Sequence, residues 1–580
     1  MNASIVNPST ALARLVVDEL VRHGVRDAVL APGSRSAPLA LALHAADATG
    51  RVRLHVRVDE RGAGFLALGL ARGSHRPVPV VTTSGSAVAN LHPAVLEAHH
   101  SGIPLLVVSA DRPAELRGSG ANQTTDQPGL FGAAVRAAVD VPATALGAGA
   151  DAAGWRAQVA RLVLAATGAF SRDPGPVHLN CCFAPPLVPD ADDDGSVPPG
   201  RLGGRPWTTV AEPAPPRALR LAAGPRTLVV AGADAGPRPR LLAEQAGWPL
   251  VAEPTSGART GEHALRSGSL LLDHPALVAD VQRVVAAGRP TLSRPVTTLL
   301  SRPDVELIVL ADGARWADPG NRAATVMPDV LPPRDDANAP RDDSGWRERW
   351  VEADRRAGAA VDEVLAAEAS RLPAGVLLGT EVARAVSSAL PPGGLLVVGS
   401  SSPVRDLDLV ARPYPPEERR LVLCNRGLSG IDGTVSTAVG ATLGRRSSRS
   451  LALLGDLAFC HDSSGLMIGP AEPRPDLTIV VANDDGGSIF ATLEPGEARF
   501  ADRFERLFGT PTRVRLGSLC TATGTPHVRV GDLGDLRTEL EGPTAGLRVL
   551  EVAVDRAGRR GLHERLRRAV HAALSEASDG

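Results

Sequence analysis

Short apolar runs alternate with stretches of helical periodicity along most of this chain. In the first 190 residues, RDAVLAPGSRSAPLALALH reads as a strand, a polar loop and a helix. LHVRVDERGAGFLALGLARG repeats that order with Glu60 closing the strand; PVPVVTTSGSAVANLHPAVLEAHHSG repeats it again, and IPLLVVSADRP reads as a further strand. Strands that are apolar throughout and separated by helices predict a parallel sheet covered on both faces. Ahead of them, MNASIVNPSTALARLVVDELVRHG predicts an amphipathic helix with Ser9 or Thr10 near its N-cap and Gly24 at its end.

Two Pro-, Gly- and Asp-rich stretches, at 185–207 and 328–345, interrupt the alternation and read as linkers. Between them lie the strand candidates RTLVVAG, WPLVAEP and VELIVLADG; after them come GGLLVVGSSSP, RLVLCN, RSLALLGD and DLTIVVAND. The pattern predicts an α/β chain of three doubly wound, mainly parallel-sheet domains, at 1–190, 208–345 and 372–580.

Composition narrows the function. A length of 580 residues is too great for one core. A net charge of −2 gives no reason to expect nucleic acid or a membrane surface as partner, and no apolar run is long enough for a membrane span. No basic region followed by an apolar block opens the chain, so a cytoplasmic protein is expected. The 62 basic residues are all arginine, which excludes a Walker A lysine and a lysine Schiff base. The five cysteines form no C-x-x-C pair, so they are expected to be small buried hydrophobes rather than metal ligands.

In open α/β sheets ligands bind beyond the carboxyl ends of the strands, and the distinctive polar residues fall there. SLALLGD ends in Gly455-Asp456, and LTIVVA is followed by Asn483, Asp484, Asp485 and Gly486. If the two strands are neighbours, these oxygens share one edge and suit a hard divalent cation such as Mg²⁺, which keeps phosphate oxygens in its shell. HDSSGLMIG, next in the chain, offers N-cap residues and hence free amides for a phosphate. The bland alternative is a pair of ordinary Asn/Asp turns.

Gly-Asp followed 28 positions later, from Asp456 to Asp484, by Asn-Asp beside glycine resembles the metal–diphosphate motif of thiamine diphosphate enzymes. The resemblance implies Asp456, Asp484 and the Gly486 carbonyl as ligands of Mg²⁺ (or Mn²⁺), with Asn483 in the same turn and open as an alternative ligand. Gly455, Leu457 and Gly487 would line the cofactor. The family's Gly-Asp-Gly is Gly455-Asp456-Leu457 here, and its usual Asn at the second metal position is Asp484. It further implies Glu60 as the acid facing the cofactor's pyrimidine ring, Ile431 as the aliphatic side chain under the bent coenzyme, and Ile489 as a further cofactor-binding position. The first domain would bind the pyrimidine and the last the diphosphate, in a homo-oligomer, a dimer at minimum and beyond that a dimer of dimers.

APGSRSAPLALAL, SADRPAELRGSGANQTTDQPG, CNRGLSGIDG and NDDGGSIF are similar to the 2-succinyl-5-enolpyruvyl-6-hydroxy-3-cyclohexene-1-carboxylate synthase family of menaquinone biosynthesis. That likeness implies decarboxylation of 2-oxoglutarate and conjugate addition of the resulting carbanion to isochorismate. Both substrates are dianions, which bidentate arginine forks pair and orient. The matching positions are Ser34, Arg35, Arg112, Asn122 and Gln123 in the first domain and Arg294 in the middle one. In the last domain they are Ser401, Arg405, Arg426 and Phe490. His461 is given no role, and Arg51, Arg53, Arg57 and Arg61 read equally well as solvated strand and helix positions or as part of the site. The rivals are a 2-oxo acid decarboxylase or carboligase of acetolactate synthase type and a non-catalytic nucleotide-binding protein. The middle domain lacks G-x-G-x-x-G, GADAG at 232–236 being a poor match.

Overall fold

The computed structural model describes residues 7–141, 150–191, 193, 195–211, 218–333, 345–543 and 545–575. Residues 192 and 194 of the first expected linker and 334–344 of the second lie outside them. The described residues form three large sheets, parallel throughout and alternating with helices, which is the α/β architecture expected.

The first sheet holds β1 (Asp27–Leu30), β2 (Arg53–Val56), β3 (Val78–Thr82), β4 (Leu105–Asp111), β5 (Ala138–Val141) and β6 (Val177–Cys182), in the order β2-β1-β3-β4-β6-β5. Strands β3 and β4 are buried at every position, as helices on both faces require. Strand β6 (VHLNCC) escaped the pattern because His178 and Asn180 interrupt its apolar run; both are buried in hydrogen bonds. The helix Pro8–Arg22 is capped by Asn7, which accepts from the Thr10 amide, and not by Ser9 or Thr10. Pro8 takes the first helical position, where its missing N–H costs nothing.

This sheet belongs to a compact unit of 1–214, 432–446 and 461–475. Within it the helices Glu60–Ser74 and Thr434–Gly444 meet backbone to backbone. A Cβ on Gly69 would lie 2.3 Å from the Thr437 carbonyl oxygen, and one on Gly440 2.2 Å from that of Leu66. Only glycine permits that approach.

The second unit comprises 215–431, 447–460 and 476–580. It opens with β7 (Leu219–Arg220), which pairs with β13 (Val330–Leu331). Its five-stranded sheet holds β8 (Thr227–Ala231), β9 (Leu250–Ala252), β10 (Arg283–Ala287), β11 (Glu306–Leu310) and β12 (Ala323–Met327), in the order β12-β11-β10-β8-β9. Its six-stranded sheet holds β14 (Leu395–Val398), β15 (Leu421–Leu423), β16 (Ser450–Gly455), β17 (Leu477–Asn483), β18 (His527–Val530) and β19 (Leu547–Ala553), in the order β15-β14-β16-β17-β19-β18. One apolar core joins Leu228, Val284 and Leu307 of the five-stranded sheet to Leu396, Leu453 and Val480 of the other, through Trp346 and Trp350. Each such burial contributes roughly 1.5–3 kcal/mol. The Trp346 indole N–H donates to the Thr227 carbonyl at 2.8 Å, as a buried indole requires.

Candidate functional site

Strands β16 and β17 are paired in parallel with Gly455 opposite Ala482, so Asp456 and Asp484 leave the same edge. Asp456 opens the short helix Asp456–His461 directly, with Leu457 its second residue. The free amides at this strand tip therefore belong to that turn and not, as expected, to HDSSGLMIG. Residues 461–475 pack in the first unit instead, where buried Asp462 accepts from the Ser436 amide at 2.6 Å and from its hydroxyl at 3.1 Å.

Asp456 is 4% exposed. Burial and the neighbouring Asp484 carboxylate push its pKa up to about 7, and burial raises Asp484 as well. Two buried carboxylates this close repel each other when both are charged. Asp484 Oδ1 is buried without a hydrogen-bond partner among the described residues. A divalent cation would offset that repulsion and satisfy that oxygen, so the donor set fits a hard metal ion. Asn483 is otherwise engaged: its amide donates to Glu551 Oε1 at 2.7 Å and its oxygen accepts from the Asp485 N–H at 3.0 Å. Gly486 has φ 154°, and a Cβ there would meet the Gly509 carbonyl oxygen at 2.3 Å. Gly487 donates to that same oxygen at 2.7 Å. A Cβ on Gly455 would meet nothing within 4 Å, which leaves open space beside the strand tip. Ile431 and Phe490 are each 38% exposed, and Ile489 is half-buried.

Two arginines converge in this second unit. The Ser400 carbonyl accepts from Arg405 at 3.1 Å and from Arg426 at 3.4 Å, and the Ser401 carbonyl accepts from Arg405 at 2.9 Å. Burial, then repulsion from Arg426, lowers the pKa of Arg405. Arg426 is buried and donates to Thr291 Oγ1 at 2.8 Å. Arg294 stands apart, 75% exposed in its side chain and paired with Glu494.

In the first unit Glu60 begins the helix Glu60–Ser74 instead of ending a strand, because Asp59 caps it. Glu60 is half-buried, with Asn90 Nδ2 at 3.4 Å from its Oε2. The turn is braced by residues 461–475: Ser464 Oγ donates to Asp59 at 2.6 Å, and Arg61 donates to the His461 carbonyl at 2.7 Å. Arg57 is buried and paired with Glu472, not solvated.

A second pair of guanidinium groups lies here. Burial, then the charge of Arg112, lowers the pKa of Arg35. Arg35 donates to the Phe183 carbonyl, and its Nε is buried without a partner among the described residues. Arg112 donates to Ser84 Oγ at 2.6 Å and to the Gln123 carbonyl at 2.8 Å. Ser34, Asn122 and Gln123 are exposed around them. The segment is anchored by buried Gln127, which accepts from the Gly85 amide and donates to Asn180. Asp111, Asp140 and Cys182 cluster closely enough to suggest a metal site, but the Arg117 guanidinium already binds all three. Four of the five cysteines are buried and all are free; burial raises the Cys182 thiol to about 12.

Ser84, Thr291 and Ser488 escaped the sequence reading. Ser488, whose hydroxyl lies 3.1 Å from that of Ser402, falls inside NDDGGSIF, and Thr291 lies just before Arg294, so their positions were in view but not their contacts.

Residues 10–130 match the family described as thiamine pyrophosphate enzyme, N-terminal TPP binding domain. The chain is 53% identical over 567 residues to the 2-succinyl-5-enolpyruvyl-6-hydroxy-3-cyclohexene-1-carboxylate synthase of Nocardioides sp., covering 96% of this chain and 97% of that protein. It is 50% identical to the synthase of Kineococcus radiotolerans, over 98% of this chain and 100% of that one. It is 48% identical to the synthase of Rhodococcus jostii, over 97% and 99%. With near-complete coverage on both sides, the chain belongs to the 2-succinyl-5-enolpyruvyl-6-hydroxy-3-cyclohexene-1-carboxylate synthase family of thiamine diphosphate enzymes.

Proposed function

We propose that this protein decarboxylates 2-oxoglutarate and adds the resulting carbanion to isochorismate, in menaquinone biosynthesis, as a cytoplasmic homo-oligomer. The observation that carries the reading is the 53% identity to a synthase of that name across 96% of the chain. Bound thiamine diphosphate supplies the nucleophilic carbon and accepts the electron pair released with CO₂. Asp456, Asp484 and the Gly486 carbonyl would hold Mg²⁺ or Mn²⁺ against the diphosphate. The prior engagement of the Asn483 side chain favours Asp484 over it as ligand. Glu60 would hold a proton at the pyrimidine ring, and Ile431 and Ile489 would keep the coenzyme bent. The 1–190 domain takes the pyrimidine and the 372–580 domain the diphosphate, with 208–345 between them in sequence. Glu60 is half-exposed in a single chain, so a second subunit covering it would supply the dry surroundings that a proton-holding carboxyl needs.

Arg35 and Arg112 in the first unit, and Arg405 and Arg426 in the second, would each take a substrate carboxylate. Like charges held together without a carboxylate between them gain most from an anion. Ser34, Asn122, Gln123, Ser401, Arg294 and Phe490 would complete the substrate surface. The test is direct: protein, thiamine diphosphate, Mg²⁺, 2-oxoglutarate and isochorismate, with CO₂ release and isochorismate loss both followed. Equal rates of the two are expected. Faster CO₂ release from pyruvate than from 2-oxoglutarate would reject the substrate and favour an acetolactate synthase type of reaction.

A further inference from the structure

The five-stranded sheet reaches the substrate arginines through a short chain of contacts. Arg426 Nη2 donates to Thr291 Oγ1 at 2.8 Å. The next residue, Leu292, donates its backbone N–H to Glu253 Oε1, also at 2.8 Å. Glu253 follows β9 immediately and is 6% exposed. The charge of Arg426 favours its ionised form and that of Asp408 opposes it.

A carboxyl in that place is costly. Burying one without full pairing costs several kcal/mol, and Glu253 Oε2 has no hydrogen-bond partner among the described residues. It borders a cavity of about 10 Å³ that Arg259, Ser293 and Asp408 also line. Arg259 Nε and Ser293 Oγ are buried and likewise unmet. A cavity of that size holds one water, which those groups would bind. The fold alone does not call for an acid here, because an amide or hydroxyl would accept the Leu292 N–H as well. An acid does something more: it opposes the charge of Arg426 while fixing the turn that carries Thr291.

We infer that Thr291 and Glu253 are positioning residues for Arg426, holding its guanidinium at the angle from which it meets a substrate carboxylate. Thr291 acts by direct hydrogen bond, and Glu253 by pinning the 291–292 turn and facing the guanidinium. This rests on the reading of Arg426 as a substrate-binding residue. Neither residue touches the reacting atoms, so their loss weakens binding more than turnover.

The test compares T291V, E253A, E253Q and R426A in the full-length protein saturated with thiamine diphosphate and Mg²⁺, measuring kcat and both KM values. R426A is expected to raise KM for one substrate. T291V and E253A are expected to raise KM for that same substrate about tenfold, as loss of a charge-assisted hydrogen bond does, with kcat within about threefold of the parent. E253Q keeps an acceptor for the Leu292 N–H but not the charge, and is expected to restore only part of the affinity. If R426A raises KM and T291V leaves it unchanged, the inference is overturned while the assignment of Arg426 stands. If R426A leaves both KM values unchanged, that assignment falls and the inference with it. T291V is nearly isosteric, so it decides the matter even where E253A fails to fold.

Discussion

Arg35 and Arg112 sit half-buried at the edge of the first sheet, surrounded by the exposed Ser34, Asn122 and Gln123. Arg405 and Arg426 lie deeper, with Arg426 only 4% exposed. The supports differ as well. The first pair leans on an ionic lattice within its own sheet: the Arg112 amide donates to Asp111, and Asp111 is tied to Arg117 and Asn180. The second leans on carbonyls of its own strand end and on Thr291 from the neighbouring five-stranded sheet. Two ways of holding like charges together thus coexist in one chain. One stays solvated and is stiffened by carboxylates nearby; the other is desolvated and held by neutral acceptors. A desolvated guanidinium binds an anion more strongly, because fewer waters compete and the local permittivity is lower.

The largest expected effect follows from that difference. Arg426→Ala should lower kcat/KM by about 10²–10³-fold, the range for truncating a buried charged hydrogen-bond donor. Arg112→Ala should lower it by only about tenfold, since water can replace part of its role. Steady-state kinetics on the two variants checks this, and equal losses would erase the distinction between the pairs. The Arg112 defect should also shrink with ionic strength more than that of Arg426, because exposed charges are screened and buried ones much less so.

How much of this was legible in the sequence depends on what each residue's role rests on. The apolar runs β3, β4, β16 and β17 stood out because strands covered on both faces must be apolar throughout. The pairing of β16 with β17, which brings Asp456 to Asp484, was an open condition that the register resolves. Strand β19 (LRVLEVA) was missed because Arg548 and Glu551 break its run. Both are spent on cross-strand contacts, Arg548 to Thr478 and Glu551 to Asn483, and a local pattern does not show such pairing. The Glu60 turn was misread by a few residues, as a strand end and not a helix start, because VDE continues the strand's alternation until Asp59 caps the helix. Braces such as Gln127 and Thr291 were invisible in principle: they are polar residues whose partners lie far away in sequence.

A second prediction probes the brace behind the buried pair. Glu253 titrates at about 7, raised mainly by burial and also by Asp408, against the Leu292 amide and Arg426, which lower it. Its folded pKa is above its unfolded value of 4.5. It therefore costs nothing below pH 4.5, and stability is lost progressively as pH rises from there through about 7. At about 1.4 kcal/mol per pKa unit the loss is on the order of 3 kcal/mol. Glu253→Gln should remove that part of the slope, leaving the variant more stable than the parent at pH 8 and no more stable at pH 4. Denaturation midpoints across that range decide it; parallel curves for the two proteins would show that Glu253 does not titrate in this window.

The smallest effect concerns the ionic lattice behind the open pair. Arg117→Ala leaves Asp111, fully buried in its side chain, without its guanidinium and leaves Asp140 with Asn180 alone among its strong donors. A buried acceptor stripped of one partner costs about 1–3 kcal/mol, and the remaining Asn180 and Arg112 amide contacts place the loss near the middle, about 2 kcal/mol. Lysine should not rescue it, since one ammonium cannot reproduce the fork that reaches Asp111 and Asp140 at once. The pH dependence has a definite sign. Burial raises the Asp140 pKa, but Arg117 and Asn180 outweigh it and hold the carboxyl below its usual value. The lattice therefore stabilises the fold above the ordinary carboxylate range and that contribution is lost as pH falls. The parent and Arg117→Ala should differ most near neutrality and converge in acid. Amide exchange in the 113–131 segment should rise in the same variant, because that loop loses the anchor beside Arg112. If the loop stays protected while the midpoint drops, the lattice serves the sheet alone, and the contrast between the two arginine pairs reduces to their burial.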